Sequence, residues 1–124
     1  MHINRSEFEH TVERVLEMIP EMFRTQLNNM TIAVEDQPSR DLLREMEIPP
    51  GETLFGVFTG VPLPERSVTD PPLYPDVILI FREPLMAACH TLTELEGEIA
   101  ITVVHELAHY MGLSEERLEE LGYG

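Results

Sequence analysis

The feature that most constrains the fold is a long helical pattern near the carboxyl end of the chain, across residues 93–111. Its apolar side chains recur three or four residues apart, the spacing that aligns them on one face of an α-helix. Thr93 and Glu96 match a capping box at the start, and Gly112 predicts a left-handed C-cap at the end. An apolar stripe of this length must be covered, so we expect this helix to pack against the core of the domain.

The remaining patterns predict a small sheet and several shorter helices. The three strand-like runs are residues 30–35, 54–59 and 76–82. Helical patterns cover residues 6–19, 21–27 and 39–45, and a final short helix begins at Ser114. Ser6 and Ser39 are the predicted N-caps of the first and third of these segments. A proline-rich stretch, residues 61–75, predicts a long irregular loop. With 124 residues, we expect a single α+β domain, residues 1–124, in which a sheet supports helices.

The charge of the chain narrows the choice of partners. Eight basic against 23 acidic residues give a net charge of -15, which repels phosphate backbones and anionic membrane surfaces. We therefore expect neither nucleic acid nor a membrane as a partner, and the oligomeric state stays open. Cys89 is the only cysteine, and no signal peptide pattern or run of about 20 apolar residues is present. These features predict a cytoplasmic protein.

A metal-binding pattern lies inside the long predicted helix. Residues 105–109 read His-Glu-Leu-Ala-His, and side chains four positions apart project from the same face of a helix. His105 and His109 can therefore reach one ion at about 2.0–2.1 Å, and zinc suits such ligands best. Glu106 points about 100° away around the helix axis, beside the ion, where a general base would act on a water molecule bound to the ion.

The residues after the motif suggest a third ligand. Gly112 allows the chain to reverse direction, and Glu115 follows His109 by six residues, so its carboxylate can return towards the ion. Two nitrogens and one oxygen would leave a fourth position for water, the arrangement of a catalytic zinc site. Glu116 is also within reach of the ion. Both glutamates equally suit the first turn of a helix, where the dipole favours negative charge.

The string from His105 to Glu115 resembles the extended zinc motif of the metzincins, although the last position is commonly His there. It is more similar to a family of small bacterial zincin-like, or minimal zincin, metallopeptidases. The resemblance covers nearly the whole chain and rests on residues 6–19, 34–36, 49–54, 75–81 and 105–122. It implies a reduced zincin fold, which we expect as a small three-stranded mixed sheet with a backing helix and an active-site helix. It also implies peptidase activity.

These observations together predict a zinc-dependent peptidase. Zinc held by His105, His109 and Glu115 would activate a water molecule, and Glu106 would act as the general base on a peptide substrate. Three tyrosines could steady the oxyanion, namely Tyr74, Tyr110 and Tyr123. By analogy with zincins, residues 54–59 would form the sheet edge that receives an extended peptide. The alternative is a catalytically silent module that keeps the fold for binding a metal or another protein.

Overall fold

A computed structural model describes residues 1–60 and 76–123 of the chain. Six α-helices, one 3-10 helix and three strands occupy these residues. Their bounds in chain order are α1 Arg5–Met18, α2 Glu21–Arg24, a 3-10 helix Thr25–Asn29, β1 Thr31–Glu35, α3 Arg40–Glu45, β2 Gly56–Thr59, β3 Val77–Phe81, α4 Arg82–Ala88, α5 Leu92–Met111 and α6 Glu115–Glu120. The loop predicted for residues 61–75 lies outside the described part of the chain.

The three strands form one mixed sheet with the order β1-β3-β2. β1 runs parallel to β3, pairing Thr31 with Val77. β2 runs antiparallel to β3, pairing Gly56 with Ile80. The side chains of Ile78 and Ile80 on the central strand are fully buried. The prediction of an α+β fold with a three-stranded mixed sheet is therefore confirmed.

Two helices begin one or two residues before their predicted starts. Asn4, not Ser6, caps α1, because its side-chain oxygen accepts a hydrogen bond of 2.8 Å from the Glu7 amide. Thr91, not Thr93, caps α5 through a bond of 3.1 Å from the Glu94 amide. The chain contains two overlapping Thr-x-x-Glu patterns here, and the earlier one forms the box, with the His90 amide bonding the Glu94 carboxylate. Ser39 caps α3 as predicted, and Ser114, predicted as the start of the last helix, is the N-cap of α6.

Helix α4 was not predicted. It starts immediately after β3, and Pro84 lies in its first turn, where a missing amide hydrogen is tolerated. Two tertiary contacts hold this abrupt change of direction. The Glu83 amide donates to the Asp36 carbonyl, and the Arg82 side chain bonds the Asp36 carboxylate at 3.0 Å. Neither contact can be derived from the local pattern, because residues 36 and 82 are far apart in sequence.

The core lies between the sheet and the two longer helices, α1 and α5. Eighteen buried residues from the helices, the sheet and the short segments form one apolar cluster: Phe8, Val12, Val15, Ile19, Phe23, Val34, Ile78, Ile80, Leu85, Met86, Cys89, Leu95, Ile99, Val103, Val104, Leu107, Ala108 and Leu118. Burial of this stripe explains why α5 is stable at this position. Nowhere in residues 1–60 and 76–123 is a helix both long enough and apolar enough to cross a lipid bilayer.

A glycine lets α5 approach the sheet closely. A Cβ atom built on Gly56 in β2 would lie 2.6 Å from the Thr102 methyl carbon and 2.9 Å from the Leu79 carbonyl oxygen. Only a residue without a side chain fits this contact. Since Thr102 lies one turn before His105, this contact sets the distance between β2 and the part of α5 that carries the motif.

Candidate metal centre

The two histidines of the motif lie side by side on α5. Their ring centroids are 4.6 Å apart, with an interplanar angle of 76°. Their side chains are 34% and 47% exposed for His105 and His109, so solvent reaches both. The helix predicted from apolar spacing therefore presents both imidazoles to one accessible location, as the four-residue separation requires.

The chain then reverses at Gly112 and returns towards the histidines. Gly112 has φ 76°, the left-handed C-cap predicted for it, and the Leu113 amide bonds the Ala108 carbonyl at 2.9 Å. The Ser114 hydroxyl caps α6 at once by accepting from the Arg117 amide. A turn this short leaves Glu115, the first residue of α6, beside the end of α5.

One oxygen of Glu115 lies close to both imidazoles. Its Oε1 is 3.3 Å from Nε2 of His105 and 3.6 Å from Nε2 of His109. Ligand atoms about 2.0–2.2 Å from a tetrahedral zinc ion are roughly 3.3–3.6 Å apart, so these separations suit one ion bound by all three groups. The three residues offer two nitrogens and one oxygen, a donor set that suits zinc. Their ligand atoms all lie within 4.8 Å of one another.

Between the two candidate third ligands, the geometry favours Glu115. Within residues 1–60 and 76–123, the group of side chains able to hold an ion consists of His105, His109 and Glu115, without Glu116. The reason is helical geometry, since consecutive residues of α6 point about 100° apart and only one of them can face α5.

Glu106 lies beside the three candidate ligands and is mostly buried. Its side chain is 15% exposed, and its Oε2 atom is 3.5 Å from Nδ1 of His109. The same oxygen accepts a hydrogen bond of 3.1 Å from the backbone amide of Phe58 in β2. Burial raises the pKa of Glu106 above its ordinary value, while His109, the Phe58 amide and His105 partly oppose this rise. A carboxylate in such surroundings binds a proton more readily than one in water.

The sequence offered no signal for the contact from Phe58. A backbone amide is present at every residue except proline, so its role depends on where the strand lies and not on the side chain. β2 is an edge strand of the sheet formed by the described residues, as predicted for residues 54–59. The Phe55 carbonyl faces β3, where it accepts from the Phe81 amide. Strand alternation then turns the Phe58 amide away from β3 and towards Glu106.

The tyrosines predicted as possible oxyanion donors have other surroundings. Tyr110 is 2% exposed, and its ring packs against Phe58 with centroids 5.4 Å apart. Tyr123 packs its ring edge against Phe23. Tyr74 lies outside the described residues. Cys89 is buried in the core, as predicted for a small packing residue.

Fold and site together define a small zincin-type protein with a candidate site for a divalent metal. The family model for zincin-like metallopeptidases matches residues 27–124, so the chain belongs to the zincin-like metallopeptidase family. This family implies a divalent metal ion, typically zinc.

A solved structure supports the same fold. A conserved hypothetical protein from Thermus thermophilus is similar over 96% of this chain and 97% of its own, with a TM-score of 0.57 and 21% sequence identity. At this level of identity the likeness shows the shared fold. No curated protein matched the chain.

Proposed function

We propose that this protein is a zinc-dependent peptidase in which His105, His109 and Glu115 hold the ion and Glu106 is the general base. The observation that carries the proposal is the position of Glu115, whose single Oε1 atom lies within 3.6 Å of both imidazole Nε2 atoms. Three converging protein ligands leave room for a fourth ligand from solvent or substrate, as a catalytic site requires. A structural zinc site would need a fourth protein ligand instead.

The bound ion would supply Lewis acidity, lowering the pKa of a coordinated water molecule and polarising the scissile carbonyl group. Glu106 supplies the proton transfer. Its carboxylate accepts a proton from the attacking water and then donates that proton to the leaving amine. The Phe58 amide holds one oxygen of Glu106 in place, which leaves the other oxygen available for this exchange.

The proposed substrate is an extended peptide or protein segment lying along the outer side of β2. An edge strand offers backbone groups to an added strand, and alternate side chains can then enter pockets. β2 is antiparallel to β3 and carries the Phe58 contact to Glu106, so a peptide bond placed beside β2 would be near the general base. We place this activity in the cytoplasm, because Cys89 is a free, buried thiol that suits a reducing compartment.

Replacement of Glu106 by Gln tests the proposal. The variant should bind as much zinc as the unmodified protein, by elemental analysis, and lose peptide hydrolysis by about 100-fold or more. The matched control is Glu116→Gln, which removes one carboxylate from an exposed position outside the candidate ligand group. Casein with a quenched fluorophore provides a broad substrate. If E106Q cleaved casein at the unmodified rate, the general-base role would be wrong.

A further inference from the structure

A groove lies at the other edge of the sheet, remote in topology from the edge that carries the candidate metal centre. Helix α1 and strand β1 border an open cavity of about 440 Å³, within the range of about 300–1,000 Å³ found for ligand pockets. Its floor includes the apolar side chains of Val12, Leu16 and Ile32. We call this cavity the α1–β1 groove.

The rim of the α1–β1 groove is acidic. Glu9, Glu13 and Glu35 line it, and all three residues are exposed. Arg5 is the cationic side chain among its lining residues, and it is already engaged. It lies 3.1 Å from the Glu9 carboxylate and 3.8 Å from that of Asp36, and it also bonds the Val34 carbonyl. The groove therefore keeps an excess of negative charge over an apolar floor.

The backbone of β1 adds a third feature. The sheet order makes β1 the second edge strand of the described residues. The Thr31 amide points towards β3, since it donates to the Asp76 carbonyl at 2.9 Å. In a parallel pair the amide and carbonyl of one residue face the same side and alternate along the strand, so those of Ile32 and Val34 face away from β3. Arg5 bonds the Val34 carbonyl, which leaves both backbone groups of Ile32 and the Val34 amide for a partner. An edge strand of this kind can pair with another strand.

We propose that the α1–β1 groove binds an extended segment of a partner protein, with alternating basic and apolar side chains, as an additional strand beside β1. Alternate side chains of the added strand point to opposite faces of the sheet. The basic ones, on the face covered by α1, would lay their apolar stems over the floor of the groove and place their charges at Glu9 and Glu13, and the apolar ones would lie on the opposite face. A second copy of this chain is a poor occupant, because two chains of net charge -15 repel each other. This surface is separate from the proposed peptidase site.

A synthetic peptide of alternating lysine and valine, six residues long and rhodamine-labelled, tests the proposal by fluorescence anisotropy. The double variant Glu9→Lys with Glu13→Lys should bind it at least tenfold more weakly, because two attractions become repulsions. The matched control, Glu45→Lys with Glu119→Lys, makes the same change in net charge at exposed positions outside the groove. Equal weakening in both double variants would overturn the proposal, since general charge attraction would then explain binding.

Two further measurements test the added strand. A peptide of alternating lysine and proline has the same charge but cannot donate backbone hydrogen bonds at its prolines, and it should bind at least tenfold more weakly. Ile32→Pro removes an outward amide without removing a bond to β3, and it should weaken binding of the lysine-valine peptide about fivefold. Circular dichroism checks that this variant is folded. If this variant were unfolded, amide hydrogen exchange of the unmodified protein would be measured instead. Exchange in β1 should become slower when the lysine-valine peptide binds. Equal binding of both peptides, or unchanged exchange in β1, would overturn the proposal.

Discussion

The backbone amide of Phe58 donates a 3.1 Å hydrogen bond to the Glu106 carboxylate and so joins the edge strand β2 to the motif helix α5. This contact orients Glu106 from outside its own helix. It also ties the position of the proposed general base to the strand that would receive a peptide. Any change that separates β2 from α5 should therefore disturb the proposed chemistry without altering a candidate ligand.

The identity of the third ligand can be tested by zinc affinity. Glu115→Gln should bind zinc about tenfold more weakly or worse, since even the hydrogen-bonding partners of metal ligands typically matter by about 10–100-fold. Glu116→Gln, which changes the neighbouring residue in the same helical turn, should bind zinc as the unmodified protein does. Competition with a chromophoric chelator measures both affinities. Equal losses in the two variants would contradict the assignment of Glu115.

Metal binding should stabilise the folded chain. His105, His109 and Glu115 come from two helices joined by a reversal at Gly112, so an ion held by all three binds the folded state better than the unfolded one. Zinc at about 100 times its dissociation constant should raise the free energy of unfolding by about 2.7 kcal/mol. Thermal denaturation with and without a chelator measures this change. His109→Ala should remove most of the zinc-dependent increase, and an undiminished increase would argue against a shared site.

Gly56→Ala should destabilise the protein by about 1–3 kcal/mol, because the new methyl group would overlap the Thr102 side chain. It should also reduce hydrolysis by moving the Phe58 amide away from Glu106. Adding Thr102→Ser, which removes the nearest methyl carbon, should recover part of the stability. Urea denaturation gives the free energies.

A second glycine offers a matched control for that substitution. Gly97 lies within α5, and a Cβ atom there would meet nothing within 4 Å. Gly97→Ala should therefore stabilise the protein by about 0.5–1 kcal/mol, as expected inside a helix. If both alanine variants changed stability in the same direction, close packing between Gly56 and Thr102 would not explain the result.

The buried carboxyl group of Glu106 predicts how the stability of the metal-free protein depends on pH. Burial raises the pKa of Glu106 in the folded state above its ordinary value of 4.5. Its contribution to stability is then complete below 4.5 and is lost as pH rises through the raised pKa, because the unfolded chain ionises more readily. The free energy of unfolding of the unmodified protein should therefore fall relative to E106Q over this interval. Urea denaturation in the presence of a chelator tests this, and a relative increase with pH would contradict it.

Several local features were predictable because their causes lie within a few residues. The spacing of His105 and His109 determines that both face one side of α5, and the glycine at 112 and serine at 114 define the reversal that follows. The three strands and their approximate bounds also follow from local alternation and apolar runs. In contrast, two overlapping Thr-x-x-Glu patterns offer a cap for α5, and the local pattern did not predict that the one starting at Thr91 is used.

Helix α4 shows the limit of local patterns. This helix has seven residues, includes Pro84 and follows β3 without a turn, so no local sequence pattern predicts it. The contacts from Asp36 to Arg82 and to the Glu83 amide hold its start. Such contacts join parts of the chain more than 40 residues apart, and their existence depends on the sheet order β1-β3-β2.

The amino-acid order alone determined the helix that carries the motif, the shared face of its two histidines and the glutamate between them, because helical geometry relates residues only four apart. Tertiary structure decided which neighbouring carboxylate, Glu115 or Glu116, approaches the imidazoles, and it supplied the Phe58 amide to Glu106. The physical reason is that both outcomes depend on the relative placement of separate elements. That placement is set by core packing and close contacts such as Gly56 against Thr102, which no short stretch of sequence contains.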